Sequence, residues 1–193
     1  IKIYYNEDKM TSNKINQFSI ESREELKKTL GLENIMAVPK LTKISLNMGL
    51  GIDGTDKKLL AAAEQIMTIL AGRKPQRTIA RKSVSSFKVR DGMILGLRTT
   101  LRKKRMYDFL DVLCKVAMPL IRDFRGISTK SFDAQGNYSI GIKDLTIFPG
   151  IDFESLSDKT RGVDITFVTT AKNAEEALAL LKQFGLPFKG QNK

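Results

Sequence analysis

The chain of 193 residues carries 33 Lys plus Arg against 21 Asp plus Glu, with one Cys, no Trp and no His. Without histidine it cannot use Ser-His-Asp or Cys-His catalysis, imidazole zinc sites or a near-neutral proton shuttle. One cysteine cannot form an intramolecular disulfide, no apolar run approaches the roughly 18 residues of a membrane helix, and a mean hydropathy of −0.21 is that of a globular chain.

The first third of the chain predicts an extension, a helix, a strand and a second helix. Residues 1–20 are polar and unpatterned, lack the apolar segment of a secretory signal, and are predicted to be a flexible extension. Glu21–Leu30 holds helix formers and ends before a glycine, whereas Lys40–Met48 alternates apolar and polar residues as a strand does. Apolar residues at helical spacing predict a helix over Asp56–Ala71.

The turn Gly49–Gly54 spells G-x-G-x-x-G between a strand and a helix, which is the context of a dinucleotide site. The carboxylate that would bind the ribose is missing near residues 70–75, although Arg73 could hold a 2′-phosphate. A strong hairpin signal further along also breaks the βαβ crossover. We therefore interpret the glycines as a strand-to-helix turn and keep an NADP-binding enzyme only as an alternative; no cofactor and no metal site is predicted.

The net charge of +12 is concentrated in one segment. Residues 1–72 carry 10 basic and 9 acidic side chains, residues 106–193 carry 11 of each, and residues 73–105 carry 12 basic side chains against Asp91 alone. Like charges this dense repel one another unless a polyanion neutralises them, so the segment predicts nucleic-acid binding.

The basic segment is predicted to form a central β-hairpin with a basic loop. Its turn is Asp91-Gly92, a strong hairpin signal, flanked by strands Ser85–Arg90 and Met93–Arg102. Phe87 and Val89 would share the buried face of the first strand. The polar face of the second strand would carry Arg98, Thr100 and Arg102, so the charge would be patterned onto a surface.

The C-terminal half adds two helices and two strands. Helices are predicted over Arg105–Ile121 and from a capping-box-like Asn173 to Phe184, and strands over Tyr138–Ile142 and Val163–Thr169. Cys114 lies beside the apolar stripe of the first of these helices and is interpreted as a passive thiol. The order αβαββαββα, without repeats or linkers, predicts one α+β domain over residues 21–193, a mostly antiparallel sheet with helices packed on one face.

Several separate blocks of the sequence resemble one known family. They are Lys43-Ile-Ser-Leu-Asn-Met-Gly-Leu-Gly51, Lys74-Pro75 with Ala80-Arg-Lys-Ser-Val84, Phe87-Lys-Val-Arg-Asp-Gly92, Ile121-Arg-Asp-Phe-Arg-Gly-Ile127, Ser131-Phe-Asp with Gly136-Asn-Tyr-Ser139, Ile147-Phe-Pro149, Asp164-Ile-Thr with Thr169-Thr-Ala-Lys172, and Gly185-Leu-Pro-Phe188. Over residues 20–190 the chain is similar to the bacterial-type form of large-ribosomal-subunit protein five, the universal 5S-rRNA-binding family.

The resemblance implies a structural protein of the ribosome and no enzyme. It implies binding of 5S rRNA and 23S-type rRNA in the central protuberance, a basic loop that contacts the P-site tRNA, and a bridge from the C-terminal half to small-subunit protein thirteen. Carried onto this sequence, the rRNA contacts are Lys43, Asn47, Arg73, Lys74, Arg98, Thr100 and Arg102. The tRNA-facing loop holds Arg81, Lys82, Ser83, Lys88 and Arg90.

Two departures from the family pattern bear on these expectations. The extension over residues 1–20 is longer and more polar than is usual, which leaves the compartment open between a bacterial cytoplasm and an organellar matrix or stroma. The run Arg102-Lys-Lys-Arg105 stands where the family commonly has an arginine-glycine pair with an acidic residue, which suggests added rRNA contact. A free-standing nucleic-acid chaperone with the same basic platform is the other alternative.

Overall fold

A computed structural model describes residues 23–122, 124–151 and 162–189. The predicted extension over residues 1–20 lies outside the described residues. The described residues form four α-helices and five strands: residues 23–29 (α1), Leu41–Gly49 (β1), Lys57–Ala71 (α2), Gln76–Ile79 (β2), Ile94–Leu101 (β3), Lys104–Val112 (α3), Tyr138–Ile142 (β4), Val163–Thr169 (β5) and Ala174–Gln183 (α4).

The arrangement is the predicted α+β class, with the predicted element order. The five strands form an antiparallel sheet in the order β2-β3-β1-β5-β4. The chain divides into two compact units. Among the described residues, the first unit comprises 23–42, 124–138 and 167–189, and the second comprises 43–122, 139–151 and 162–166. That residues 21–193 act as one domain stays a prediction.

The second unit is organised by the pairing of β1 with β3. Ile44 lies opposite Leu101 and Met48 opposite Leu97, so the apolar side chains of both strands lie on the same side of the sheet. All four of these side chains are buried, and α2 packs against β3 on that side. The apolar stripe of α2 supplies the covering side chains Leu60, Ala63, Ile66, Met67, Leu70 and Ala71.

Helix α2 begins and ends where its sequence predicts. The Asp56 side chain accepts a hydrogen bond of 2.8 Å from the Lys58 backbone N–H, as an N-cap residue does. Gly72 ends the helix in the left-handed conformation, with φ of +62°. Both ends therefore follow from local residue chemistry and not only from packing.

The first unit has its own apolar contacts. Leu26 of α1, Val38 and Leu180 of α4 form a buried cluster. The rings of Tyr138 and Phe188 meet edge-on with centroids 5.5 Å apart, and the Tyr138 hydroxyl donates a 2.9 Å hydrogen bond to the Ser128 carbonyl. These contacts fix the start of β4 within this unit.

The glycine motif forms the strand-to-helix turn that the sequence analysis favours. Residues Gly51–Thr55 form a short 3₁₀ turn, and Gly51 has a φ of +59°, which an L side chain rarely adopts. A dinucleotide fold would need β1 and β2 as parallel neighbours, but β3 lies between them and pairs antiparallel with both. The NADP-binding alternative therefore lacks its scaffold.

The predicted hairpin is wrong in its first strand. The strand that pairs with β3 is β2, Gln76–Ile79, and Ser85–Phe87 forms a 3₁₀ turn instead of extended structure. The Asp91-Gly92 pair does form a turn, but this turn does not join two strands directly. Gly92, with φ of +81°, donates its N–H to the Ala80 carbonyl at 3.1 Å and helps to close a long loop.

Two helix predictions need smaller corrections. Helix α3 ends at Val112 and continues as a wide π turn over Leu113–Ala117, followed by a 3₁₀ turn that contains Pro119. Proline has no N–H for the α-helical hydrogen bond, so the regular helix cannot extend to Ile121. At α4 the Asn173 side chain makes no cap hydrogen bond; instead a Glu176 oxygen accepts from the Lys172 N–H at 3.0 Å.

A substitution at Gly54 can test how tightly the turn Gly49–Gly54 packs on β3. A Cβ at this position would overlap the backbone carbonyl of Ile94, which cannot move without disturbing the strand. We expect Gly54→Ala to lower the free energy of unfolding by about 1–3 kcal/mol, measured by urea denaturation. Gly49→Ala is the matched control, since nothing lies within 4 Å of its Cβ, and it should change stability by less than about 0.5 kcal/mol. Equal effects of the two variants would contradict this packing.

Candidate nucleic-acid interface

The outer face of the sheet, opposite α2, carries polar side chains at alternate positions. On β1 these are Lys43, Ser45 and Asn47, and on β3 they are Arg98 and Thr100. Asn47 lies opposite Arg98 and Ser45 opposite Thr100 in the strand register. The structure thus brings four predicted rRNA-binding residues onto one surface: Lys43, Asn47, Arg98 and Thr100.

Arg98 occupies the centre of this surface. It pairs with Asn47 on β1 at one side and with Gln76 on β2 at the other, so an exposed guanidinium lies between two exposed amides. Directly opposed residues of an antiparallel pair have Cβ atoms about 4.5–5.5 Å apart. Three hydrogen-bonding groups can therefore act on one bound group at once.

Beside these residues the sheet backbone is not covered by side chains of its own strands, because two glycines lie opposite each other there. Gly49 of β1 lies opposite Gly96 of β3. A Cβ on Gly96 would lie 2.7 Å from the Met48 carbonyl oxygen, so only glycine fits that position. Thr78 of β2 completes the row as a short side chain. A ligand can therefore approach the sheet backbone closely at this point.

The outer face of the second unit continues over β5 and β4 with less charge. The hydroxyls of Ser139 and Thr166 lie 3.1 Å apart, and Asp164 is exposed beside them. The cationic half of the face is therefore the half built by β1, β2 and β3.

Three further cations that were predicted to bind rRNA lie next to the strands of this surface. Arg73, Lys74 and Arg102 are exposed in the bends at the ends of β2 and β3. Arg77 instead reaches the helix side and forms an ion pair with Glu64 of α2. The hydrogen bond from Arg77 holds the pKa of Glu64 below its usual value. We therefore assign Arg77 a structural role and not a place on the outer face.

The loop between β2 and β3 presents its own cations and apolar groups. It closes at its base through the Ala80 N–H, which donates to the Met93 carbonyl at 2.8 Å, and near its tip through two hydrogen bonds between Val84 and Val89. The predicted buried position of Phe87 is wrong: its side chain is 69% exposed, next to Lys88 in the left-handed conformation.

The five predicted tRNA-facing residues all lie in this loop and are exposed. Ser83 also has a structural part, because its hydroxyl oxygen accepts a 3.0 Å hydrogen bond from the Asp91 N–H. The other members of the set are the cations Arg81, Lys82, Lys88 and Arg90.

Sequence reasoning missed several residues of the surface. Gln76 and Thr78 were missed because β2 was not recognised, and Phe87 because it was placed in a strand. Ser139 and Thr166 could have been found by extending the alternation along β4 and β5.

The described part of the chain holds no helix long and apolar enough to span a membrane, and no cluster of three His, Cys, Asp or Glu that could bind a metal. Cys114 is half-buried, and burial raises the pKa of its thiol to about 12. It therefore has the properties of a packed thiol and not of a nucleophile.

Two family models match most of the chain. The family model described as "Ribosomal protein L5" matches residues 34–90, and a second model, which describes the C-terminus of the same ribosomal family, matches residues 94–188. These matches define a structural, non-enzymatic protein of the large ribosomal subunit.

Curated relatives extend the match over most of the chain. Large ribosomal subunit protein uL5 of Psychrobacter cryohalolentis is 52% identical over 172 residues, covering 89% of this chain and 96% of the relative. The proteins of the same name from Alkalilimnicola ehrlichii and Francisella philomiragia are 50% and 52% identical, covering 90% and 85% of this chain and 96% and 91% of the relatives. The chain belongs to the ribosomal protein L5 family.

The protonated state of Cys114 can be tested with Ellman's reagent. At pH 8 a thiol with a pKa of about 12 is almost fully protonated, so we expect the native protein to react at least about 10³-fold more slowly than the chain in urea. The native rate should rise about tenfold per pH unit up to the onset of unfolding. Rapid reaction of the native protein at pH 8 would contradict the buried thiol, and Cys114→Ala supplies the blank.

Proposed function

We propose that the outer face built by β1, β2 and β3 binds 5S rRNA and the adjoining 23S-type rRNA in the central protuberance of the large subunit. The observation that carries the proposal is Arg98 between Asn47 and Gln76, all three of which are exposed on one sheet face within the described part of the chain. A guanidinium offers five N–H donors and each amide offers two donors and an acceptor, so together they match phosphate oxygens, 2′-hydroxyls and base edges.

The chemistry of this face favours irregular RNA. Regular RNA duplexes hide their base edges in a deep groove, whereas loops and bulges expose base edges and sugar hydroxyls together with phosphates. Short polar groups such as Ser45 and Thr100 can accept from a 2′-hydroxyl as well as donate to it. Because Gly49 and Gly96 have no side chains, a sugar-phosphate chain has room to lie against the sheet backbone at this point.

Cations at the margin of the face supply affinity. Lys43 lies on β1, Arg73 and Lys74 lie before β2, and Arg102 follows β3, and all four reach solvent. Contacts of this kind bind phosphates without reading sequence and make affinity fall steeply with salt. We assign them the positioning of the RNA and assign Arg98, Asn47 and Thr100 its recognition.

The loop between β2 and β3 contacts the P-site tRNA in this proposal. It presents Arg81, Lys82, Lys88 and Arg90 for the tRNA backbone. Phe87 adds an exposed ring at the loop tip, and an aromatic face can stack on a nucleobase. The loop is closed by hydrogen bonds at its base, so it can extend away from the sheet as a unit.

The family resemblance supplies the remaining parts of the proposal. The C-terminal half forms the bridge to small-subunit protein thirteen in the head of the small subunit. The protein works in the ribosome of a bacterial cytoplasm, in line with the bacterial sources of its relatives.

Removing the central polar groups should weaken 5S rRNA binding. We expect Asn47→Ala combined with Arg98→Ala to raise the Kd for 5S rRNA by about 10²-fold or more, because a base-reading contact contributes about 1–3 kcal/mol. Filter binding at fixed salt measures this. Lys58→Ala with Gln65→Ala removes one cation and one amide from the exposed surface of α2 and is the matched control. Equal losses from both double variants, or none from the first, would count against the face.

The loop can be tested apart from the sheet in assembled ribosomes. We expect Phe87→Ala, and Arg81→Ala combined with Lys82→Ala, to weaken P-site tRNA binding about 3–30-fold while 5S rRNA still sediments with the large subunit. Arg125→Ala with Lys130→Ala, which removes two exposed cations outside the loop, is the control. Unchanged tRNA affinity in both loop variants would refute the tRNA contact, whereas loss of 5S rRNA would place the loop in the rRNA interface.

A further inference from the structure

One residue beyond β3 has a backbone conformation that its side chain does not favour. Lys103 has φ of +54° and ψ of −134°, and among the described non-glycine residues only Lys88 shares a positive φ. This φ, ψ region is open to glycine and strained for residues with a Cβ. The chain thus carries a lysine at a position where glycine would fold with less strain.

The positive charge around Lys103 is a second unfavourable feature beside the backbone strain. Residues 102–105 are four consecutive cations, all exposed. Within the described residues no carboxylate forms an ion pair with Arg102, Lys103 or Arg105, and the first turn of α3 contains no acidic residue. Arg102, Lys103 and Arg105 therefore repel one another with no ion-paired carboxylate among the described residues to offset their charge, whereas Lys104 has an interaction partner.

The position of the run connects it to the outer sheet face. Arg98 and Thr100 face outward at alternate positions of β3, and Arg102, the first cation of the run, is exposed directly after the last residue of that strand. Lys103 follows directly where the backbone turns from β3 into α3. The run therefore continues the cationic surface past the end of the strand.

We propose that Arg102–Arg105 is a phosphate-binding corner, at which Lys103 holds the backbone of the RNA that crosses the sheet face. The inference rests on the proposed function, because the bound polyanion is the same rRNA. Within it, the strained lysine has a defined part: a glycine would stabilise the free protein and remove one phosphate contact. Stability and RNA affinity are thus expected to change in opposite directions.

Three substitutions at this position separate strain from charge. Lys103→Gly removes both, Lys103→Ala removes the charge and keeps the strain, and Lys103→Arg keeps both. We expect Lys103→Gly to raise Tm by about 2–4 °C relative to Lys103→Ala. We expect Lys103→Gly and Lys103→Ala to weaken 5S rRNA binding equally, by about 5–10-fold near 0.1 M salt, and to reduce the slope of log K against log salt by about 1. Lys103→Arg should bind as the unsubstituted protein does.

Lys28→Ala is the charge-matched control, since Lys28 is an exposed cation of α1 in the first unit. If Lys103→Ala and Lys103→Gly bind 5S rRNA like the unsubstituted protein while Asn47→Ala with Arg98→Ala does not, the corner is refuted and the sheet face stands. An equal loss for Lys28→Ala would also refute the corner. Failure of the unsubstituted protein to bind 5S rRNA would overturn the corner and the proposed function together.

Discussion

The pairing of β1 with β3 is the constraint on which the candidate interface depends. Strand side chains alternate between faces, so one register places Ile44 and Leu101 under the helices and Asn47 and Arg98 on the opposite surface. A shift of one residue would exchange the two sets and bury an arginine. The same apolar contacts that stabilise the second unit therefore also fix the geometry of the polar face.

Charge is divided among parts of the structure with different tasks. Arg77 serves the fold through Glu64, Arg98 lies among amides on the face, and the loop carries cations of its own. A net charge for the segment cannot distinguish these positions. The strand register and the loop closure at Ala80 and Met93 do distinguish them, because they determine which cations can reach one ligand together.

Sequence patterns predicted the fold where local chemistry and packing agree. The alternation of Ile44, Leu46 and Met48 marked β1, and the apolar stripe of α2 marked its helix. Strand β2 escaped notice because it is a four-residue edge strand, Gln-Arg-Thr-Ile, without apolar alternation. The outer-face residues of β1 and β3 followed from parity, whereas the exposed Phe87 depends on a 3₁₀ turn and a left-handed residue that composition does not reveal.

The concentration of cations also has a consequence for the life of the molecule before assembly. A ligand that binds only the folded state stabilises it, so neutralisation by RNA and completion of the fold are thermodynamically linked. Residues 73–105 hold 12 basic side chains against one acidic side chain, and Glu64 pairs with Arg77 alone among them, so a newly made copy without RNA retains much of their repulsion. We therefore expect such orphan copies to open more readily than assembled ones and to be the first removed by proteases, which would keep the number of copies matched to the supply of rRNA.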